Sequence, residues 1–210
     1  MGADSLRVWS AATGLVLVIF LLLHLGGVAM APFAPVSFET YAAALHQSAW
    51  MPFAEFGFLA AALMHLGLSL AKLIVNRRAG NRAGLVSRRG DLLAVLAARS
   101  QAIGGLILLG FLVVHLLQLR WPRPPAGEEL LALGVVLSQP TNVGLYLLAA
   151  VAVSLHLFHG GEAAHRSLGL LDPANGLRIR RVFRMLALLV GGGFSVVVLL
   201  VAALALQMGQ

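Results

Sequence analysis

The sequence predicts an all-α membrane protein: one transmembrane domain over residues 1–210, with five spanning helices of which the first four form a bundle. Three observations predict it. Charged residues make up only 11% of the chain and hydrophobic ones 60%, where an ordinary soluble domain carries about 25% charge. The apolar residues fall in long runs of roughly 20, enough to cross a bilayer at about 1.5 Å per residue, and not at the spacing of an amphipathic helix. The basic residues gather in two of the loops between those runs.

The first span covers residues 8–31. Asp4 and a single Arg7 make a poor positive region and the apolar run is too long for a cleaved signal, so it reads as a retained helix. The loop that follows has no Lys or Arg before the second span, residues 52–75. The next loop holds Lys72, Arg77, Arg78, Arg82, Arg88, Arg89 and Arg99 against Asp91 alone. The third span is residues 100–119. Beyond it, "WPRPPAG" (121–127) is a turn-rich break in which Arg120 and Arg123 are offset by Glu128 and Glu129. The fourth span is residues 141–160. The loop after it holds Arg166, Arg178, Arg180, Arg181 and Arg184 against Glu162 and Asp172, with a turn at "DPANG" (172–176). The fifth span, residues 185–206, carries no titratable group, and its "VGGGFSVVV" (190–198) permits close helix packing. Basic loops face the cytoplasm, so the N-terminus is expected inside and the C-terminus outside. Trp9 marks the inner interface, and Trp50 and Trp121 the outer one.

Composition also excludes classes. The absence of cysteine removes disulfides, thiolate metal sites, iron–sulfur clusters and c-type haem from this chain, leaving histidine as the strong soft-metal ligand. The net charge of +7 does not point to nucleic acid, because topology accounts for where the basic residues lie.

The first four spans contain a repeat. "TGLVLVIFLLLHL" (13–25) aligns without a gap on "GGLILLGFLVVHL" (104–116), placing Gly14 on Gly105, Phe20 on Phe111 and His24 on His115. "AALMHL" (61–66) aligns more weakly on "AVSLHL" (152–157), placing His65 on His156. Both two-helix units start on the same side, so their symmetry axis runs along the membrane normal. Depth follows from direction of travel. His24 lies about 17 residues into an outward-going helix, roughly 25 Å from its inner end. His115, about 15 residues into another, shares the outer half, while His65 and His156 fall in the central-to-inner half on inward-going helices.

Two imidazoles facing each other at equal depth across a bundle can take both axial positions of a haem iron. With no coordination position left open, the chemistry is electron transfer. The carbonyl four residues back, Phe20 for His24, can accept from Nδ1–H and leave Nε2 for the metal. Glycines near the spans let a flat macrocycle approach the backbone. Two b haems are therefore expected, with His24 and His115 on one iron and His65 and His156 on the other. A single intramembrane histidine is as readily a hydrogen bond between helices. Four of them, one per helix and paired by depth and repeat, point to ligation.

These residues resemble a known family, the five-helix di-haem cytochrome b membrane anchors of succinate:quinone oxidoreductases, which include succinate dehydrogenase (complex II) and fumarate reductase. The likeness covers nearly the whole chain and rests on "RVWSAATG", "FETYAAAL", "RSQAIGGLILLGFLVVHLL" and "HLFHGGEAAHRSLGL". It implies that His65 and His156 hold the proximal haem beside a cytoplasmic iron–sulfur subunit, and His24 and His115 the distal haem. A separate flavoprotein subunit would interconvert succinate and fumarate, a reaction of the tricarboxylic acid cycle. This chain would have no succinate chemistry of its own. It would relay electrons to or from a quinone, often menaquinone in di-haem members, in a prokaryotic cytoplasmic membrane, within a complex open to higher oligomerisation.

Ser10, Lys72, Arg99 and Arg166 lie on the cytoplasmic side and are candidate donors to the propionates of the inner haem; topology alone also accounts for the three basic ones. Family members with an outer quinone site use an acid near the distal haem, for which Glu39, His46 and Glu55 are the candidates here. His159, one turn after His156, could meet a propionate or the partner subunit, and His165 reads as a solvated surface residue. The alternatives are a haem b subunit of another quinone-linked dehydrogenase, and a proton channel or transporter lined by histidines.

Overall fold

The computed structural model describes residues 3–78, 80 and 90–208. All regular structure among them is helical: α1 (Ala3–Val28), α2 (Met30–Phe33), α3 (Pro35–Gln47), α4 (Met51–Arg78), α5 (Leu92–Arg99), α6 (Gln101–His115), α7 (Glu129–Leu137), α8 (Pro140–Ser167) and α9 (Gly176–Met208). A π-helical turn, Leu116–Arg120, prolongs α6. Five segments are long and apolar enough to cross a membrane: Asp4–Phe33, Met51–Arg78, Gln101–Arg120, Pro140–Ser167 and Gly176–Gln207.

The helices outrun their apolar cores, and several segments expected as loops are helical. Arg166 lies within α8, and α9 starts at Gly176 rather than near residue 185, so Arg178, Arg180, Arg181 and Arg184 sit on its first turns. A helix can extend past the hydrocarbon because its backbone bonds stay satisfied in water or lipid, and charged side chains there reach the headgroup layer. The break between α8 and α9 is the expected turn, where Asp172 and Asn175 bond each other's backbone N–H at 2.8 and 3.0 Å. "FETYAAAL" belongs to α3, which Pro35 opens, not to an open loop. Asp91 caps α5 by accepting from Ala94 N at 3.0 Å. Arg82, Arg88 and Arg89 lie outside the described residues.

The order of packing is α4 on α1, α1 on α8, α8 on α6, with α9 laid along α8 and α1. Small residues make the α8–α9 seam. Ala149, Ala150 and Ala152 of α8 are buried, as are Ala187 and Val190 of α9. A Cβ on Gly191 would stand 2.8 Å from the Ala150 carbonyl oxygen, so only glycine allows this approach. Ser154 Oγ donates to Ala187 O across the same seam at 2.9 Å. Lipid is as apolar as Leu, so close backbone contact and hydrogen bonds of this kind hold membrane helices together. By contrast α4 buries none of its residues and leans chiefly on α1. Trp9, Trp50 and Trp121 are exposed, as interfacial anchors are.

Candidate functional site

Four histidines meet in two pairs. The His24 and His115 rings have centroids 5.9 Å apart at 78° to each other. The His65 and His156 rings are 6.2 Å apart at 75°. Neither pair joins closely packed helices: α1 and α6 are both neighbours of α8, and α4 and α8 are both neighbours of α1. Each pair therefore reaches across the group of four helices. The repeat is visible in the support. A Cβ on Gly14 would stand 2.9 Å from His65 Cε1, and one on its repeat mate Gly105 would stand 3.8 Å from His156 Cε1.

The rings are held differently from the expectation that each bonds the carbonyl four residues back. His65 Nδ1 donates to the Ser10 carbonyl on α1 at 3.0 Å, with Thr13 Oγ1 at 3.4 Å. His115 Nδ1 faces the Tyr146 hydroxyl at 3.3 Å. His24 stacks on the Phe20 ring, with centroids 5.5 Å apart and planes within 8°, and does not bond the Phe20 carbonyl. His156 Nδ1 is buried without a hydrogen-bond partner among the described residues. Polar groups on a neighbouring helix, Ser10 O and the Tyr146 hydroxyl, take the place of the four-back carbonyl for His65 and His115. His165 follows the four-back pattern, bonding Gly161 O at 2.9 Å, and its ring rests on Phe183 rather than in solvent.

Among the described residues no group of three or more His, Asp or Glu could hold a metal ion. Pairs of imidazoles are the donor set of a bis-histidine haem, which needs only two protein ligands. An iron bound on both faces with metal–nitrogen distances of about 2 Å places the two ring centres roughly 6 Å apart. Both observed pairs match that spacing. The residues present fit the group.

The expected propionate donors spread out. Ser10 is buried, its hydroxyl 3.3 Å from Ser69 Oγ. Lys72 is half-buried within electrostatic reach of His65. Arg99 is exposed at the end of α5. Arg166 is exposed and pairs with Glu162 at 2.7 Å; Glu162 is buried and also meets Arg180 of α9 at 3.3 Å.

At the opposite ends of the helices, Glu39 and His46 of α3 converge on Glu129 of α7. Glu39 accepts from Glu129 N at 3.1 Å and from Leu130 N at 2.8 Å, capping α7 from another helix. Glu129, 7% exposed, receives His46 Nδ1 at 3.1 Å and Gly127 N at 2.8 Å. Burial, with the adjoining Glu129 carboxylate, pushes Glu39 above the usual carboxylate range. Burial opposes ionisation of Glu129 as well, but the hydrogen bonds it accepts from Glu39, the backbone and His46 outweigh it and hold its pKa low. The two carboxyls are thus driven apart, Glu39 taking up a proton before Glu129 as pH falls. Glu55 is engaged separately, by a two-point pair with Arg120 and a second cation, Arg123, at 4.0 Å.

Sequence reasoning misses Glu129, Tyr146 and Gln118. By composition Glu129 is only a charge offsetting arginines. Gln118, a polar residue inside an apolar span three places after His115, is the available signal. No family model matches the chain, and no curated protein or solved structure does either.

Proposed function

We propose that this chain is the cytochrome b membrane anchor of a succinate:quinone oxidoreductase, relaying electrons between an iron–sulfur subunit and a membrane quinone through two bis-histidine b haems. The observation that carries the reading is the pair of ring pairs, His24 with His115 and His65 with His156, each at the spacing one iron requires. When bound, the haems supply one-electron carriers at two depths of a hydrocarbon layer about 30 Å thick.

The chain's own work is to position and insulate. The first four spanning helices act as a bundle, with Nδ1 of His65 engaged by Ser10 O and Nδ1 of His115 by Tyr146, which leaves Nε2 of each ring for a metal. Leu21, Leu22, Leu108 and Phe158 around the buried Val153–Leu157 cluster keep water from the interior. The N-terminus is cytoplasmic in this reading, because Arg77 and Arg78 end α4, Arg99 ends α5 and Arg166 ends α8 on one side. Lys72 is then the best-placed propionate partner, since Arg166 is already tied to Glu162. On the quinone side Glu39 and His46, gathered round Glu129, are the groups to exchange a proton, whereas Glu55 is neutralised by arginine.

A reduced-minus-oxidised spectrum of the purified protein tests the reading. Two b haems per chain are expected, together with co-purifying flavin and iron–sulfur subunits. A chain without a b-type band would be a histidine-lined channel instead, and haem without a flavoprotein partner would indicate a different quinone-linked dehydrogenase.

A further inference from the structure

His115 stands at the inner end of a chain of polar side chains that has only one consistent direction. Asn142 Nδ2 donates to the Val136 carbonyl at 2.8 Å. A carbonyl can only accept, so the Asn142 amide nitrogen must face it and Oδ1 must face Gln118. Gln118 Nε2 donates to Asn142 Oδ1 at 3.0 Å, which turns Oε1 toward Tyr146. The Tyr146 hydroxyl spends its one proton on Gln118 Oε1 at 3.1 Å. Its oxygen is left as the acceptor for His115 Nδ1–H, 3.3 Å away. Reversing any amide would set two acceptors or two donors against each other.

The π-helical turn builds this arrangement. It follows His115 directly and widens the helix, placing Gln118 against α8 and Arg120 against Glu55 of α4. Tyr146 itself is 7% exposed and packed edge-on against Phe111 at 4.8 Å.

We infer that Tyr146, oriented by Gln118, is the positioning residue that sets the electronic character of the His24–His115 centre and not of the His65–His156 centre. The inference rests on the proposed haem ligation. An acceptor at Nδ1–H makes an imidazole a stronger donor to its metal, which favours the oxidised iron and lowers the midpoint potential. In this pair, among the described residues, the acceptor at Nδ1 belongs to His115, while His24 lies against the Phe20, His115 and Phe194 rings. In the other pair the acceptor is the Ser10 carbonyl, which no side-chain substitution removes. The two repeat units therefore build two unlike centres from matching histidines, one under backbone control and one under a phenol.

Redox titration and electron paramagnetic resonance of the purified complex test this. In Tyr146→Phe both haems are expected to remain. The midpoint of the haem that His115→Ala eliminates should move upward and its low-spin signal should shift, while the other haem is unchanged. Gln118→Leu should move the same haem in the same direction by less, and it reports even where Tyr146→Phe fails to assemble. A Gln118→Leu protein with wild-type potentials and signals overturns the inference, as does a shift of both haems or of the other one. Wild-type protein with two haems separates that failure from failure of the ligation itself; wild-type protein without haem overturns both.

Discussion

The carbonyl oxygen of Ser10 on α1 accepts a hydrogen bond from Nδ1 of His65 on α4, at 3.0 Å. Ser10 therefore acts on the histidine through its backbone, while its hydroxyl turns to Ser69. Ser10→Ala keeps the carbonyl and should leave intact the spectrum of the haem proposed at His65 and His156. Its cost is the Ser10–Ser69 contact, about 0.6 kcal/mol for a polar pair between membrane helices. Gly14→Ala should be the worse change, because the new Cβ would stand 2.9 Å from His65 Cε1. Overpacking of this kind costs about 1–3 kcal/mol, so thermal unfolding in detergent and the haem spectrum should both respond. A Ser10→Ala protein more damaged than Gly14→Ala would show that the hydroxyl matters more than the carbonyl.

Ligand pairing gives a sharper outcome. On the proposed ligation, His24→Ala and His115→Ala should each eliminate one and the same haem, and His65→Ala and His156→Ala the other, because those rings approach each other at 5.9 and 6.2 Å. Low-temperature optical spectra resolve the two species. If His24→Ala and His65→Ala removed the same band, the assignment by depth would be wrong.

Those pairs are legible in the residue order alone, and the reason is physical. A spanning helix advances by a fixed rise, so direction and distance from its end give each histidine a depth, and the repeat then matches partners. Gly14 and Gly105, aligned in sequence, both lie against imidazoles of the same pair. What depth cannot give is rotation about the helix axis and the identity of lateral neighbours. Ser10 O, Tyr146 and Gln118 belong to that missing information, and they supplant the four-back carbonyl. The full length of the helices escapes a composition-based reading for a related reason. Arg178 to Arg184 look like a loop by composition, yet the Asp172–Asn175 turn starts α9 just ahead of them, at Gly176. Glu129 stays hidden because its partners, Glu39 and His46, come from α3, far away in sequence.

The α8–α9 seam should be the least tolerant packing surface. A Cβ at Gly191 would meet both Ser154 Cβ, at 2.6 Å, and the Ala150 carbonyl oxygen, at 2.8 Å. Neither can swing aside, since one is the stem of a short side chain and the other is backbone. Gly191→Ala should therefore destabilise by about 1–3 kcal/mol. Ser154→Ala loses only its bond to Ala187 O, a term averaging about 0.6 kcal/mol in membranes. Gly192, with open space at its Cβ position, is the matched control and should accept alanine without loss. Denaturation in mixed micelles orders the three variants, and equal stability of Gly191→Ala and Gly192→Ala would contradict the seam.

The contact of α3 with α7 should depend on pH from both sides. Glu39 is displaced upward and Glu129 downward, so the two carboxyls of the folded pair titrate apart. A raised pKa means that the stabilisation is present at low pH and is lost as pH rises through the folded value. Glu39 thus weakens the contact on the alkaline side, when two carboxylates face each other. A lowered pKa means the reverse: the contribution of Glu129 is present above the ordinary carboxylate range and is lost on acidification, when it no longer accepts from His46 and Gly127 N. Docking should be strongest between those limits. Glu39→Gln removes the ionisable group and forfeits one of the two backbone caps, because separate oxygens accept from Glu129 N and Leu130 N and an amide keeps only one. The substitution should therefore remove the alkaline loss and leave the acid one. Hydrogen–deuterium exchange across α7, followed over a pH series and corrected for intrinsic rates, measures this directly. Alkaline weakening that persists in Glu39→Gln would assign it to another group.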